Sequence, residues 1–231
     1  MMGIFPLSLL GFGFLLGIRH AFDVDHIAAV STIIHNHKSI KKSTLVGLFW
    51  GFGHTISLLI AGLLILLFKI SVPEKIALSL EFIVGIVLVL LGINVLFTMN
   101  KNKVHFHRHK HGNKEHIHFH SHKLAKNHSH EHMHLSKSLI TGIVHGLAGS
   151  AAITLLVLTA INSLLLSLIY ILIFGIGSII GMMLISSIIS LPFILIPNKL
   201  KNSHKILSMG TSLVAISIGL TVIYNVSLAF Y

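Results

Sequence analysis

The chain has 231 residues, of which 54% are hydrophobic and only 10% are charged, well below the roughly 25% of soluble domains. This composition excludes an ordinary soluble protein, and the net charge of +11 does not indicate nucleic-acid binding, because the basic residues lie between apolar stretches. Cysteine is absent, which excludes disulfides, thiolate metal sites and redox chemistry at sulfur.

Six apolar stretches are long enough to cross a bilayer, which takes about 20 residues per helix. We predict transmembrane helices near 7–30, 44–68, 77–98, 138–160, 165–191 and 206–228. Of the 17 basic residues, 14 lie in connections on one side, two on the other, and Arg19 within the first span. The positive-inside rule therefore predicts a multi-pass protein of the cytoplasmic membrane with both termini outside.

The first span carries an ionisable segment, Arg19–His26, which reads Arg-His-Ala-Phe-Asp-Val-Asp-His. Each Arg or Asp at mid-membrane costs about 3 kcal/mol, whereas each Leu, Ile or Phe returns only about 0.5 kcal/mol. The segment's arginine and two aspartates would thus cost about 9 kcal/mol. Such a helix is tolerable only if these groups face protein, water or a cation, which favours a functional site.

On a regular helix His20, Asp23 and His26 fall within a 120° arc, and two imidazoles with a carboxylate suit Ni²⁺ or Co²⁺. Asp25 points away from that face, so either the helix is irregular or Asp25 orients a histidine. The alternative is a buried structural network in which Arg19, four residues before Asp23, neutralises its carboxylate.

Two further histidines lie within predicted spans, His54 in the second and His145 in the fourth. Thr55 and Ser57 accompany the former, and Gly146, Gly149 and Ser150 accompany the latter. Small residues permit close helix approach, which suits both interhelical packing and a tight metal site. We take both histidines as candidate ligands.

An internal repeat relates the two halves of the chain. Three matches occur in order: Gly17–His20 with Gly142–His145, Gly51–His54 with Gly175–Ser178, and Leu91–Phe97 with Ile218–Tyr224, at offsets of 125, 124 and 127. The first half begins outside and the second inside, so the repeat is inverted, as in many transporters. We predict an all-α fold of 3+3 inverted helices, with halves at 1–98 and 138–231.

The segment 99–137 joins the halves on the cytoplasmic side and holds 12 of the 19 histidines. They form three blocks in which every second residue is histidine: His105, His107, His109, His111; His116, His118, His120, His122; and His128, His130, His132, His134. Imidazole suits Ni²⁺, Co²⁺, Zn²⁺ and Cu²⁺. We expect a loop that is disordered without metal and that captures or buffers metal; a solubilising linker is the alternative.

Together these residues resemble the nickel/cobalt permease family (NicO/NiCoT-like), in particular its branch with a UreH-type, urease-accessory-like transmembrane domain. The resemblance rests mainly on His20-x₄-Asp25-His26, which is similar to the family's His-x₄-Asp-His motif. Support comes from Gly51–Thr55, His145–Ser150 and Phe174–Ser178. The resemblance implies translocation of Ni²⁺ or Co²⁺, with the two histidines and the aspartate of the main motif as family-matched residues.

The sequence departs from the family at three points. Val24 replaces a small residue or proline between the two aspartates, and Ser31-Thr32 stands where uptake permeases have Asp-Asn. Six spans are predicted, whereas those permeases have eight. These departures leave uptake and efflux both open.

The sequence therefore predicts a secondary transporter of Ni²⁺ or Co²⁺, with Zn²⁺ also acceptable to the loop. A Walker motif is absent, so no intrinsic ATPase is expected. Enzyme activity is not expected either, because the sequence shows no separate nucleophile or general base beyond the candidate ligands, and no resident cofactor is expected. The expected partners are the bilayer, divalent metal ions, and a metallochaperone or urease or hydrogenase maturation proteins, but not nucleic acid. The alternatives are an intramembrane metalloenzyme and a membrane-anchored metal-storage or urease-maturation accessory protein.

Overall fold

The structure is a computed structural model that describes residues 4–35, 39–68, 73–101, 106–111, 114–119, 129–147, 161, 163–196 and 201–230. Seven helices lie in these ranges: α1 (Ile4–His20), α2 (Val24–Ile34), α3 (Ile40–Phe68), α4 (Glu74–Lys101), α5 (Ser129–Leu147), α6 (Leu164–Leu195) and α7 (Lys201–Ala229). Two short strands, β1 (Phe106–His111) and β2 (Lys114–Phe119), lie between α4 and α5. The predicted helical class is confirmed, with this hairpin as the one departure in the described ranges.

Several helices are long and apolar enough to cross a membrane. They are α3, α4, α6 and α7, and α1 with α2 forms a fifth candidate if the bent pair is one span. The remaining predicted span, 138–160, is described only as far as Leu147 in α5, and its second part lies outside the described residues. The chain is a multi-pass membrane protein.

The first predicted span is broken in the middle. The amides of Ala21, Phe22 and Asp23 bond back three residues, to the carbonyls of Ile18, Arg19 and His20, so α1 ends in a tight turn. Asp23 then adopts an extended backbone, with φ −63° and ψ 147°, and precedes α2 as its N-cap residue. The axes of α1 and α2 differ by 53°, so of the two alternatives for Asp25 the structure shows the irregular helix, and the bent pair is a candidate for one broken span.

Two long helices form the centre of the packing. Helix α3 packs along α6, while α1 packs on α6, α5 packs on α3 and α4 packs on α7. Helix α2 lies against α7, α6 and α4. Glycines allow the closest crossings: a Cβ at Gly17 would collide with the Phe174 carbonyl, and a Cβ at Gly142 would collide with the Trp50 carbonyl.

The interior and the outer surface differ in the way a membrane protein requires. A cluster around Trp50, Val30, Ile34 and Met182 is buried between α2, α3 and α6. Large apolar side chains, for example Leu165, also remain exposed on every helix expected to cross the bilayer. In lipid such residues need no protein partner, so the exposed apolar surface is the expected lipid-facing surface.

The hairpin lies within the histidine-rich segment. Strands β1 and β2 are antiparallel, and their register pairs His107 with His118 and His109 with His116. Helix α5 begins at Ser129, inside the predicted linker 99–137. The linker therefore contains regular backbone in the structure, because histidine at every second position is the spacing of one face of a strand.

Candidate metal centre

The break in the first span brings three polar side chains to one place. His20 is the last residue of α1, and Asp25 and His26 lie in the first turn of α2. The ring centroids of the two histidines are 4.5 Å apart, with the rings nearly perpendicular. A straight helix would have directed Asp25 away from these histidines, and the bend brings both His20 and Asp25 next to His26.

Helices α3 and α5 add one histidine each. The ring of His54 lies 5.0 Å from that of His20 and 5.5 Å from that of His26. The ring of His145, which belongs to α5, lies 5.0 Å from that of His26. The four histidines are buried, and the Asp25 side chain is 32% exposed.

These five residues form two overlapping groups of metal-ligand atoms. One group is His20, His26 and His54, and the other is Asp25, His26 and His145. Within each group the ligand atoms lie within 4.8 Å of one another. Three ligand atoms no more than 4.8 Å apart lie within about 2.8 Å of a common centre, whereas a metal bond is about 2.1 Å, so a contraction of at most about 0.7 Å per ligand would close either group on an ion.

Most of the imidazole nitrogens in the cluster lack a hydrogen bond. In the described part of the chain, Nε2 of His20, Nε2 of His26 and both ring nitrogens of His54 are buried without a hydrogen-bond partner. Both ring nitrogens of His145 are in the same condition. A buried polar atom without a partner costs about 1–3 kcal/mol, so this concentration points to a ligand that the nitrogens bind.

Asp25 holds the cluster from one side. Its Oδ1 accepts hydrogen bonds from the backbone amide of His26 at 2.9 Å and from the ring Nδ1 of His26 at 3.0 Å. Its Oδ2 lies 3.5 Å from Nε2 of His145, an ion-pair distance without hydrogen-bond geometry. The carboxylate thus contacts histidines of two different helices, α2 and α5.

Asp23 lies in a different position from the one predicted. It belongs to neither ligand group; its carboxylate accepts a hydrogen bond from Nδ1 of His20 at 2.7 Å and is 54% exposed. The expected neighbour Arg19 is exposed and has no ion pair in the part of the chain that the structure describes. Asp23 therefore fixes the tautomer of His20 and directs Nε2 into the cluster.

Two aromatic residues wall the cluster, and the sequence did not identify them as part of it. The indole of Trp50 lies 5.3 Å from the ring of His145 and 6.2 Å from that of His26. The ring of Phe174 stacks on His20 at 5.8 Å. The available signal for Trp50 was its spacing of four residues before His54, which puts both on one face of α3.

The loop histidines are only partly within the described residues. His107, His109 and His111 lie on β1, His116 and His118 on β2, and His130, His132 and His134 in the first turns of α5, whereas His105, His120, His122 and His128 lie outside the described residues. Metal capture by this segment stays a prediction.

Comparison with known proteins gives two matches. A family model described as high-affinity nickel-transport protein matches residues 6–229. A urease accessory protein, UreH, from Bacillus sp. (strain TB-90) is 37% identical over 219 residues, which cover 95% of this chain and 92% of that protein. No solved structure shows a significant match.

Proposed function

The chain belongs to the family of high-affinity nickel-transport proteins, and we propose that its Ni²⁺ or Co²⁺ cargo crosses the membrane through the cluster of His20, Asp25, His26, His54 and His145. The family resemblance predicted from the sequence is confirmed, as is a membrane transporter of divalent transition-metal cations. The pathway through these five residues is our proposal.

One observation carries this proposal. Four buried histidines and a carboxylate converge between apolar helices, with six ring nitrogens lacking hydrogen bonds in the described part. A purely structural network would pair these nitrogens with one another or with backbone, because unpaired polar groups in hydrocarbon are costly. Neutral imidazole together with one carboxylate is a ligand set that Ni²⁺ and Co²⁺ accept.

The close helix crossings support the inverted repeat of the two halves. Gly17 of α1 lies against the Phe174 carbonyl of α6, and Gly142 of α5 lies against the Trp50 carbonyl of α3. Gly142 is the repeat partner of Gly17, and Trp50 is the repeat partner of Phe174. The same contact thus occurs twice, with the two halves exchanged.

The crossing of α4 and α7 follows the same rule. A Cβ at Gly92 would lie 2.7 Å from the Ser212 carbonyl oxygen, and a Cβ at Gly219 would lie 2.6 Å from the Gly85 carbonyl oxygen. An offset of 127 relates Gly92 to Gly219 and Gly85 to Ser212. We therefore propose six spans as two inverted halves, 1–98 and 138–231, with the centre between them and both termini outside.

We propose that the cytoplasmic segment 99–137 captures or buffers metal. The hairpin register places His107 opposite His118 and His109 opposite His116. Directly opposite residues of an antiparallel pair lie on the same face, and alternate residues of a strand share that face. The backbone register thus pairs two histidines of β1 with two of β2, and imidazole is a ligand that suits a transition-metal ion.

The similarity to a urease accessory protein bears on the destination of the metal. We propose that the cargo serves maturation of a nickel enzyme, with a metallochaperone or urease or hydrogenase maturation proteins as partners. An inside-negative potential favours inward movement of a divalent cation by about 4.6 kcal/mol per 100 mV, so uptake needs no further energy source. Efflux would need a coupling ion.

Cellular metal content tests the proposed function and its direction together. Cells with and without the protein are grown in Ni²⁺, Co²⁺ or Zn²⁺, and metal per cell is measured by elemental analysis. Accumulation indicates uptake, and depletion indicates efflux; the expected result is a change for Ni²⁺ or Co²⁺ that the variant His54→Ala abolishes. An equal change in cells expressing folded His54→Ala would contradict the pathway.

A further inference from the structure

The two ligand groups differ in composition and share one residue. The first group, His20, His26 and His54, contains only imidazoles, whereas the second contains Asp25 and His145 with the same His26. The first is deeply buried, and the second includes the one carboxylate of the cluster, 32% exposed. The groups therefore offer a cation two different environments a few ångströms apart.

The shared imidazole has different surroundings at its two nitrogens. Nδ1 of His26 lies 3.0 Å from Oδ1 of Asp25, on the side of the second group. Nε2 of His26 is buried and has no hydrogen-bond partner among the described residues, and the rings of His20 and His54 lie 4.5 Å and 5.5 Å away. One nitrogen thus serves each group.

From this geometry we propose that the cargo ion occupies two positions in turn, an all-imidazole position at His20, His26 and His54 and a carboxylate position at Asp25, His26 and His145. This inference rests on the proposed function, because it divides the same pathway into two steps. A neutral imidazole has one lone pair, so His26 binds the ion through one nitrogen while the other carries the ring's N–H. When the ion moves to the carboxylate position, Nδ1 therefore releases its proton to water and Nε2 takes one up from water, which leaves the ring neutral in both positions. Two divalent ions this close would also repel strongly, so the positions are filled alternately.

The all-imidazole position uses helices of the first half alone, whereas the carboxylate position uses helices of both halves. The all-imidazole position is built from α1, α2 and α3 alone, whereas the carboxylate position needs His145 of α5. Movement of α5 relative to α2 would open or close only the carboxylate position. The ion therefore changes from a site within the first half to a site between the halves when it passes His26.

The test uses Co²⁺ as the probe and the full chain with the twelve loop histidines replaced by asparagine, so that binding at the centre is measured alone. In this parent we compare His54→Ala, which removes one ligand of the all-imidazole position, with Asp25→Asn and His145→Ala, which alter the carboxylate position. Equilibrium binding, the X-ray absorption spectrum of bound Co²⁺, and flux in proteoliposomes are measured for each. His54→Gln provides a second variant if the smaller side chain prevents folding.

We expect each single variant to retain one bound Co²⁺ per chain yet lose flux. The ligands should differ: His54→Ala keeps a carboxylate oxygen on Co²⁺, whereas Asp25→Asn leaves nitrogen ligands from the protein. His26→Ala should lose binding altogether, because both positions need it. If His54→Gln and Asp25→Asn instead abolish binding as His26→Ala does, the centre is one undivided site and the two-position account is wrong. A parent that neither binds nor moves Co²⁺ would overturn the proposed function itself.

Discussion

His26 is the residue of the cluster that contacts all the other members. Its ring contacts those of His20, His54 and His145, and its Nδ1 donates to Asp25. The aspartate that precedes it bonds both its amide and its ring, so the orientation of the imidazole is set by its own neighbour in sequence. The motif needs adjacent Asp and His for this reason.

Asp23 should act through His20 and not as a ligand. Asp23→Ala removes the carboxylate 2.7 Å from Nδ1 of His20, so the ring loses its fixed tautomer and orientation. We expect the apparent affinity for Ni²⁺ in flux assays to fall about 10- to 100-fold, as is usual for a partner of a metal-binding histidine. Flux at saturating Ni²⁺ should be largely retained.

Asp23→Asn is the matched control, since its amide oxygen can still accept the Nδ1 hydrogen bond. The apparent affinity for Ni²⁺ should therefore fall less in Asp23→Asn than in Asp23→Ala. Complete loss of flux at every Ni²⁺ concentration in Asp23→Ala would show instead that Asp23 binds the ion directly.

At this scale the sequence identified the members of the cluster but not their roles. His20, His26, His54 and His145 were predicted because ionisable residues in apolar spans are costly unless they have a function. Which of Asp23 and Asp25 lies in the cluster depended on whether the helix is regular, and the three backbone hydrogen bonds in the turn after α1 bring Asp25 to His26 and leave Asp23 beside His20. Local turn geometry of this kind leaves no periodic pattern in a sequence.

Among the elements, the close crossings of α1 with α6 and of α5 with α3 hold the cluster together. His20 comes three residues after Gly17, and His145 comes three residues after Gly142, so each histidine projects from the turn next to a crossing. Helices that approach this closely leave little freedom for the rings they carry. The glycines thus determine how near the two halves bring their ligands.

Gly17→Val should separate α1 from α6 and destabilise the protein. A Cβ at this position collides with the Phe174 carbonyl, and overpacking of this kind costs about 1–3 kcal/mol or more. Gly11→Val is the control, because it lies on the same helix and a Cβ there has nothing within 4 Å. Thermal unfolding in detergent should give a lower Tm for Gly17→Val than for Gly11→Val.

Equal Tm values for the two valine variants would contradict the close crossing. Both substitutions carry the same cost in helix propensity, so the difference between them isolates the steric contact.

The helical elements were largely predictable, because long apolar stretches bounded by charge are the strongest pattern in a membrane protein. The interruption after His20 was predicted only as one of two alternatives for Asp25, because Ala21, Phe22 and Val24 read as ordinary span residues. The strands were missed for a different reason. Histidine at alternate positions was taken as a chelating linker, although the same spacing suits a strand.

In the whole molecule, the proposed two halves are alike in packing but unequal in chemistry. The repeat pairs His20 with His145 and His54 with Ser178, so the first half supplies most of the proposed ligands and the second half supplies one. The structure confirms a multi-pass helical architecture, and the repeated glycine contacts support the inversion. Sequence similarity between the halves was visible at three short motifs only, because lipid-facing positions tolerate any apolar residue.

The orientation can be tested directly because the chain lacks cysteine. Lys75 near the start of α4 and Ser203 near the start of α7 are both exposed. With both termini outside, a membrane-impermeant maleimide should label Lys75→Cys in intact cells and Ser203→Cys only after permeabilisation. The opposite labelling pattern would place the histidine-rich segment outside the cell.

The central claim is that the cargo passes through His26. The measurement is the initial rate of radiolabelled Ni²⁺ flux in proteoliposomes containing the parent protein, His26→Ala or His204→Ala. His204 of α7 is the matched histidine, since it packs on Phe193 at 5.7 Å and belongs to neither ligand group. We predict background flux for His26→Ala and parental flux for His204→Ala; a folded His26→Ala protein that moves Ni²⁺ at the parental rate would contradict the account.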